Sequence, residues 1–166
     1  MTLPIRMTNF LYRFLHKFCV IIVASSSLAV TESCTKTSDK EENIYFIFGN
    51  ASGSQELPPV STSGTGVLNG SYDVADHTLN YSISWSGLSG AVTAVNLHGP
   101  ANIGASADIV AELPVKITSP SGHLSGSILT DDLIRKTLID GNVYYTISTL
   151  MHPDGEIRGQ VNAVRE

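Results

Sequence analysis

The stretch HPDGEIRGQV, residues 152–161, joins a tight turn to a run in which polar and apolar residues alternate. Pro153 presets φ at the start of the turn, and Gly155 can adopt the left-handed conformation that a tight hairpin requires. The preceding run, residues 143–151, is rich in β-branched and aromatic residues, which favour strands. The stretch therefore predicts a β-hairpin. On its second strand, one face carries Glu156, Arg158 and Gln160 and the other carries Ile157, Gly159 and Val161.

From Asn43 onward, short strand-like runs alternate with clusters of Gly, Pro, Ser and Asp. This pattern predicts an all-β fold, an antiparallel Ig-like or Greek-key β-sandwich with one short helix near residues 131–140. Trp85 and Tyr81 are in phase with aliphatic neighbours, so we expect both in the core. Residues 51–60 contain two prolines and are expected to form an extended edge segment. The other predicted strands cover residues 44–48, 67–72, 78–85, 91–97, 108–113 and 122–129.

Residues 130–141, TDDLIRKTLIDG, form the predicted helix. Thr130 is the expected N-cap, the two following aspartates favour the positive end of the helix dipole, and Gly141 can end the helix. Paired aspartates also suggest calcium, but the chain lacks the surrounding loop of acidic ligands, so a capping role is preferred. The apolar stripe, expected to cover the open end of the sandwich, consists of Leu133, Ile134, Thr137 and Leu138.

Composition restricts the possible partners. The chain has 166 residues and a formal net charge of −5, and only 15% of its residues are charged. Removing the first 33 residues makes the net charge −7, which repels phosphate backbones, so nucleic acid is not an expected partner. Cys19 and Cys34 are the two cysteines. A domain that begins after Cys34 has neither a disulfide nor a cysteine metal cluster.

The N-terminus is expected to be an export signal. Basic residues precede an uncharged run over residues 18–30, which is shorter than the roughly 20 residues that span a bilayer. The boundary resembles a bacterial lipoprotein signal, which implies cleavage after residue 33 and lipidation of Cys34. The expected organisation is a signal over 1–33, a polar tether over 34–43 and a domain over 44–166. The alternative is plain secretion with cleavage near Ala29.

Four separated segments, Gly53–Val60, Gly87–Gly90, Leu97–Ala101 and Pro153–Gln160, follow the order and approximate spacing of the chordin-type, or CHRD, domain. The chain is therefore identified as resembling that family over about residues 44–161. The family occurs in exported proteins and does not by itself define a biochemical activity. The resemblance implies an extracytoplasmic module.

The chain departs from the family pattern at two positions. Many members have His-x-His-Gly-Pro where this chain has Asn96 before His98, and many have a histidine where this chain has Ser148. Three such histidines could form a copper or zinc site, but Asn and Ser are poor replacements for imidazole. Of the set only His98 remains. We expect it to be a hydrogen-bonded side chain that orders the Gly99-Pro100 turn, with metal binding as the alternative.

No nucleophile elbow, phosphate loop or dinucleotide motif is present in the sequence, so an enzyme is not expected and no cofactor is predicted. Glu156 and Arg158 are the most suggestive charges, either as an ion pair that anchors the hairpin or as an anion site, and we prefer the ion pair. The expected function is a lipid-anchored binding or structural module at the outer membrane or cell surface. A lipid on Cys34 is expected to contact the membrane, and an extracellular protein or a glycan is the expected class of partner. A secreted or periplasmic location and a metal or redox role for His98 are the alternatives.

Overall fold

A computed structural model describes residues 43–116 and 119–165. The predicted signal over 1–33, Cys34 and almost all of the tether lie outside the described residues. Within those residues the chain forms eight strands, a short 3-10 helix at Gly53–Gln55 and one α-helix. These elements are β1 Ile44–Ser52, β2 Thr65–Asp73, β3 Thr78–Ser86, β4 Val92–His98, β5 Ile109–Leu113, β6 Gly122–Leu129, α1 Asp132–Ile139, β7 Val143–Thr149 and β8 Ile157–Arg165.

The strands form one antiparallel sheet in the order β5-β4-β7-β8-β1-β2-β3-β6. Strands β1 to β3 form a meander, and the chain then crosses to the other half of the sheet to build β4 and β5. It returns for β6 and crosses again, through α1, to β7. The predicted all-β antiparallel fold with one short helix is confirmed.

Alternation of apolar and polar residues places the core on one side of each strand. On β3, Leu79, Tyr81, Ile83 and Trp85 are buried while the residues between them are exposed. The prediction that Tyr81 and Trp85 lie in the core is confirmed. The indole nitrogen of Trp85 donates to the Ser119 carbonyl at 3.1 Å, so burial does not leave its N–H unpaired.

The predicted hairpin is present, and its strand β8 joins the two halves of the sheet by pairing with both β7 and β1. Gly155 has φ +131°, a backbone conformation that residues other than glycine rarely adopt. The first strand of the hairpin, β7, is shorter than predicted, because it ends at Thr149 and its last pair with β8 is Ile147 with Ile157. Residues 150 and 151 belong to the connection and are exposed.

Strand β1 is longer than predicted. We expected a strand over 44–48 followed by an extended edge segment, but β1 continues to Ser52 and pairs with β2 without interruption. Ala51 is consequently a buried core residue. The prediction for 51–60 was wrong at its start because the prolines that suggested an edge come only at 58 and 59, after the strand has ended.

The helix begins one residue later than predicted. Its N-cap is Asp131, whose side chain accepts from the Ile134 N–H at 2.8 Å. Thr130 was expected to be the cap, but its hydroxyl donates to the His77 carbonyl instead. Leu133, expected in the buried stripe, is 58% exposed, whereas Ile134, Thr137 and Leu138 are buried. Among the residues that the structure describes, no helix has the length and apolar character needed to cross a membrane.

Candidate functional site

The outer face of strands β4, β7 and β8 is covered by residues 99–108, which we call the covering segment. All seven residues of β7 are buried, although alternation points every second one away from the core. Tyr144 is one of these, and its hydroxyl donates to the Ala107 carbonyl at 3.2 Å and accepts from the Ala107 N–H at 3.1 Å. Side chains on this face therefore lie in a second buried layer.

His98 lies in this layer, opposite Tyr144 in the β4–β7 register. The two rings stack with centroids 4.7 Å apart and an angle of 3° between their planes. Nδ1 is 3.1 Å from the Ala107 carbonyl oxygen, and Nε2 is 3.1 Å from the Thr146 hydroxyl. The carbonyl can only accept, so Nδ1 carries the proton and Nε2 accepts from Thr146. Both ring nitrogens of His98 are thus engaged within the chain.

The environment of His98 also disfavours a positive charge. Burial lowers its pKa below the ordinary value of 6.5; the hydrogen bond to Ala107 opposes this effect, and the nearby Arg158 charge adds to it. The imidazole is therefore neutral at pH 7.

Arg158 lies on the other side of Tyr144, on strand β8. Its guanidinium carbon is 3.5 Å from the centroid of the Tyr144 ring, and Nη2 donates to the Ala105 carbonyl at 2.6 Å. Only 3% of Arg158 is exposed. The next outward-facing residue, Gln160, donates to the Ala101 carbonyl at 3.1 Å. His98, Arg158 and Gln160 together fasten the covering segment to the sheet.

Asn96 and Ser148 occupy the other two positions at which the family pattern has histidine, and both lie on the same outer face as His98. Asn96 is half-buried and pairs with Thr146, and Ser148 is buried and pairs with Ala94. The structure therefore brings all three positions to one face of adjacent strands. In the part of the chain that the structure describes, no group of three or more His, Cys, Asp or Glu side chains is arranged to hold a metal ion.

Glu156 is fully buried and lies apart from that layer. Its Oε1 accepts from the Thr62 hydroxyl at 2.6 Å and the Ser89 N–H at 2.7 Å. Its Oε2 accepts from the hydroxyls of Ser89 and Thr149, both at 2.7 Å. The carboxylate thus ties the end of the hairpin to the segment before β2 and to the β3–β4 turn.

The expected ion pair between Glu156 and Arg158 is not formed. Burial alone would raise the pKa of Glu156, but its hydrogen bonds to Thr62, Ser89 and Thr149 outweigh burial and hold the pKa below the ordinary value. Arg158 instead contacts Tyr144 and Ala105. The prediction was wrong because β8 begins at Ile157, so strand alternation does not apply to Glu156.

Glu56 was not singled out from the sequence. It is 7% exposed, its Oε1 has no hydrogen-bond partner among the described residues, and it lines a cleft of about 300 Å³ next to the hairpin turn. The signal in the sequence was an acidic residue directly before the apolar, proline-containing run Leu57–Val60. Burial raises the pKa of Glu56 to about 7, opposed by the Arg158 charge and by a backbone hydrogen bond from Leu57.

Comparison with known proteins identifies the same family as the four sequence segments. The model of the CHRD domain family matches residues 48–161. Chordin of Danio rerio is 36% identical over 111 residues, which cover 63% of this chain. The chain spans 12% of the length of that relative. No solved structure matches the chain.

Proposed function

Because the chain belongs to the CHRD domain family, whose members are non-enzymatic extracellular domains, we propose that it is a lipid-anchored binding or structural module outside the cytoplasm. A lipid on Cys34 holds the domain at the outer membrane or cell surface. The polar residues that follow Cys34 act as a tether. The partner is an extracellular protein or a glycan.

The observation that carries the non-enzymatic part of this proposal is that the polar atoms of the motif residues are already engaged by the chain. Both ring nitrogens of His98 and both carboxylate oxygens of Glu156 have partners within hydrogen-bond distance. A general acid or base needs an atom free to reach the substrate proton. These groups stabilise the sheet and its loops, and that role supports a rigid binding surface.

The same contacts count against the metal alternative. Binding of a metal by His98 would require loss of the hydrogen bond to Thr146 or to Ala107, and neither Asn96 nor Ser148 offers an imidazole in return. The arrangement on this face therefore favours a structural role for His98.

The anchoring proposal is tested with Cys34→Ala, and Cys19→Ala within the signal serves as the matched control. The wild type and Cys19→Ala are expected to incorporate labelled fatty acid and to partition into detergent, because only Cys34 follows the proposed cleavage site. Cys34→Ala is expected to lose the label and to appear in the aqueous phase. Equal partitioning of Cys34→Ala and the wild type would contradict the proposal. Digestion of the wild type by protease added to intact cells distinguishes the cell surface from the periplasm.

A further inference from the structure

The cleft beside the hairpin turn is lined by five apolar residues and by one buried acid, Glu56. Its volume is about 300 Å³, and the 56–60 segment and the 151–155 turn form its two sides. Leu57 and Met151 are 45% and 67% exposed, so both offer apolar surface to a ligand. The apolar lining residues are Leu57, Pro58, Val60, Met151 and Pro153.

Glu56 is the unusual member of this lining. Its carboxyl group lies against the backbone of Gly155, where an added Cβ would be 2.6 Å from Oε1. A buried carboxyl oxygen without a hydrogen-bond partner is unfavourable, so most such groups in folded proteins are paired. Glu56 Oε1 has no such partner among the described residues, and this unmet acceptor capacity favours a ligand that carries N–H donors.

The surrounding charges favour a cation over a neutral donor. Asp154 is exposed and lines the same cleft, which gives the cleft two carboxyl groups. Arg158 is the cation that acts on Glu56, but its guanidinium group already contacts Ala105 and the Tyr144 ring. His152, which also lines the cleft, is half-buried.

We propose that this cleft binds an alkylammonium group, with the ammonium head at Glu56 and the aliphatic stem against Leu57 and Met151. The ligand is either a lysine side chain on a partner protein or a free alkylamine. An ammonium group supplies three donors to the carboxylate, and such charge-assisted hydrogen bonds are about twice as strong as neutral ones. The apolar stem gains from the exposed apolar walls.

Binding is coupled to ionisation of Glu56. Because burial raises the pKa of Glu56 to about 7, the carboxyl is partly protonated at neutral pH and offers its full charge only above that value. The ammonium ligand is therefore expected to bind more tightly at pH 8 than at pH 5.5. The other charged or titratable groups that face Glu56 are the exposed Asp154, the half-buried His152 and the buried Arg158.

The test is a nuclear magnetic resonance titration of the full chain in detergent micelles at pH 8. The probes are n-butylammonium, N-acetyl-lysine N-methylamide and, as the neutral control, 1-butanol. Saturable shifts are expected at the Gly155 amide and the Met151 methyl for both amines and not for 1-butanol. Tighter binding of the lysine amide indicates a protein partner, and tighter binding of n-butylammonium indicates a free amine.

Two variants decide whether the carboxyl and the apolar wall are responsible. Glu56→Gln keeps the shape of the side chain and is expected to weaken amine binding at least tenfold. Asp132→Asn on α1 removes an exposed carboxylate outside the cleft, so this matched control is expected to bind the amines like the wild type. Leu57→Ser changes an exposed side chain and is expected to weaken binding without affecting the fold. The proposal is overturned if the wild type shows no saturable binding, if 1-butanol binds as well as the amines, or if Glu56→Gln binds like the wild type. None of these outcomes bears on lipidation, because the titration does not depend on Cys34.

Discussion

At the scale of single residues, the two glutamates beside the hairpin show how environment decides the state of one side-chain type. Glu156 is fully buried but receives four hydrogen bonds, and these keep its pKa below the ordinary value. Glu56 is almost as buried, yet its Oε1 has no partner among the described residues and its pKa rises to about 7. The number of donors, and not burial alone, separates the two carboxyl groups.

The contrast predicts opposite pH dependence in two conservative variants. The pKa of Glu56 is raised from 4.5 to about 7 on folding, so its contribution to stability is complete below pH 4.5 and is lost as the pH rises to about 7. Relative to the wild type, Glu56→Gln should therefore gain on the order of 1–3 kcal/mol in free energy of unfolding between pH 4 and pH 8, the lower values allowing for solvent screening. Urea unfolding of both proteins at several pH values measures this gain.

Glu156→Gln is the control with the opposite sign. In the wild type, the pKa of Glu156 is lower in the folded than in the unfolded state. Its contribution to stability is therefore present above the unfolded value of 4.5 and is lost as the pH falls through the folded pKa. The variant should be less stable than the wild type at pH 7, and the difference should shrink on acidification. A constant difference for either glutamate across the pH range would contradict the assigned environments.

A second residue-scale prediction compares a core side chain with the motif histidine. Ile157 is completely buried in the core cluster, so Ile157→Ala leaves a cavity and should reduce the free energy of unfolding by roughly 2–4 kcal/mol. His98 is half-buried, and His98→Ala should cost less. Urea unfolding of the two variants gives the ranking. If His98→Ala is the more damaging change, the layer under the covering segment matters more to stability than the core side of the hairpin.

At the scale of elements, the start of α1 depends on one carboxylate. Asp131 caps the helix through the Ile134 N–H, and removing such a cap costs about 0.5–2 kcal/mol. Asp131→Ala should therefore lower the free energy of unfolding by about 1 kcal/mol. Asp132→Ala is the control, because Asp132 makes only a largely exposed ion pair with Arg135 at 3.1 Å, and such pairs contribute little. Thermal unfolding of the two variants measures the difference, and equal costs would argue against the cap.

At the scale of the whole sheet, the β1–β8 contact joins the meander to the other half. A Cβ added at Gly49 would lie 2.5 Å from the Gln160 carbonyl oxygen on β8, and backbone cannot move aside as a flexible side chain does. Gly49→Ala should therefore reduce the free energy of unfolding by about 1–3 kcal/mol or more. Gly90→Ala is the matched control, because its Cβ would meet nothing closer than 3.6 Å. Equal urea midpoints for the two variants would show that the two strands can separate without cost.

Much of the fold was predictable because it follows from local patterns. Alternation on β3 identified the core face, and turn residues at 153–155 identified the hairpin. The four family segments identified the family. Errors occurred mainly at the ends of elements. There, extending a strand or moving a helix cap by one residue changes the sequence pattern little. The N-cap is an example, since Thr130 and Asp131 are both good caps and only their neighbours distinguish them.

The candidate sites depended on contacts between distant parts of the chain. The donors to Glu156 come from residues 62, 89 and 149, and only sheet closure brings them together. The partners of Arg158, and the absence among the described residues of a partner for Glu56 Oε1, arise in the same way. Residue identity and strand parity are local properties and can be read from the sequence. The state of a buried charge depends on which donors surround it, and that is decided only when the chain is packed.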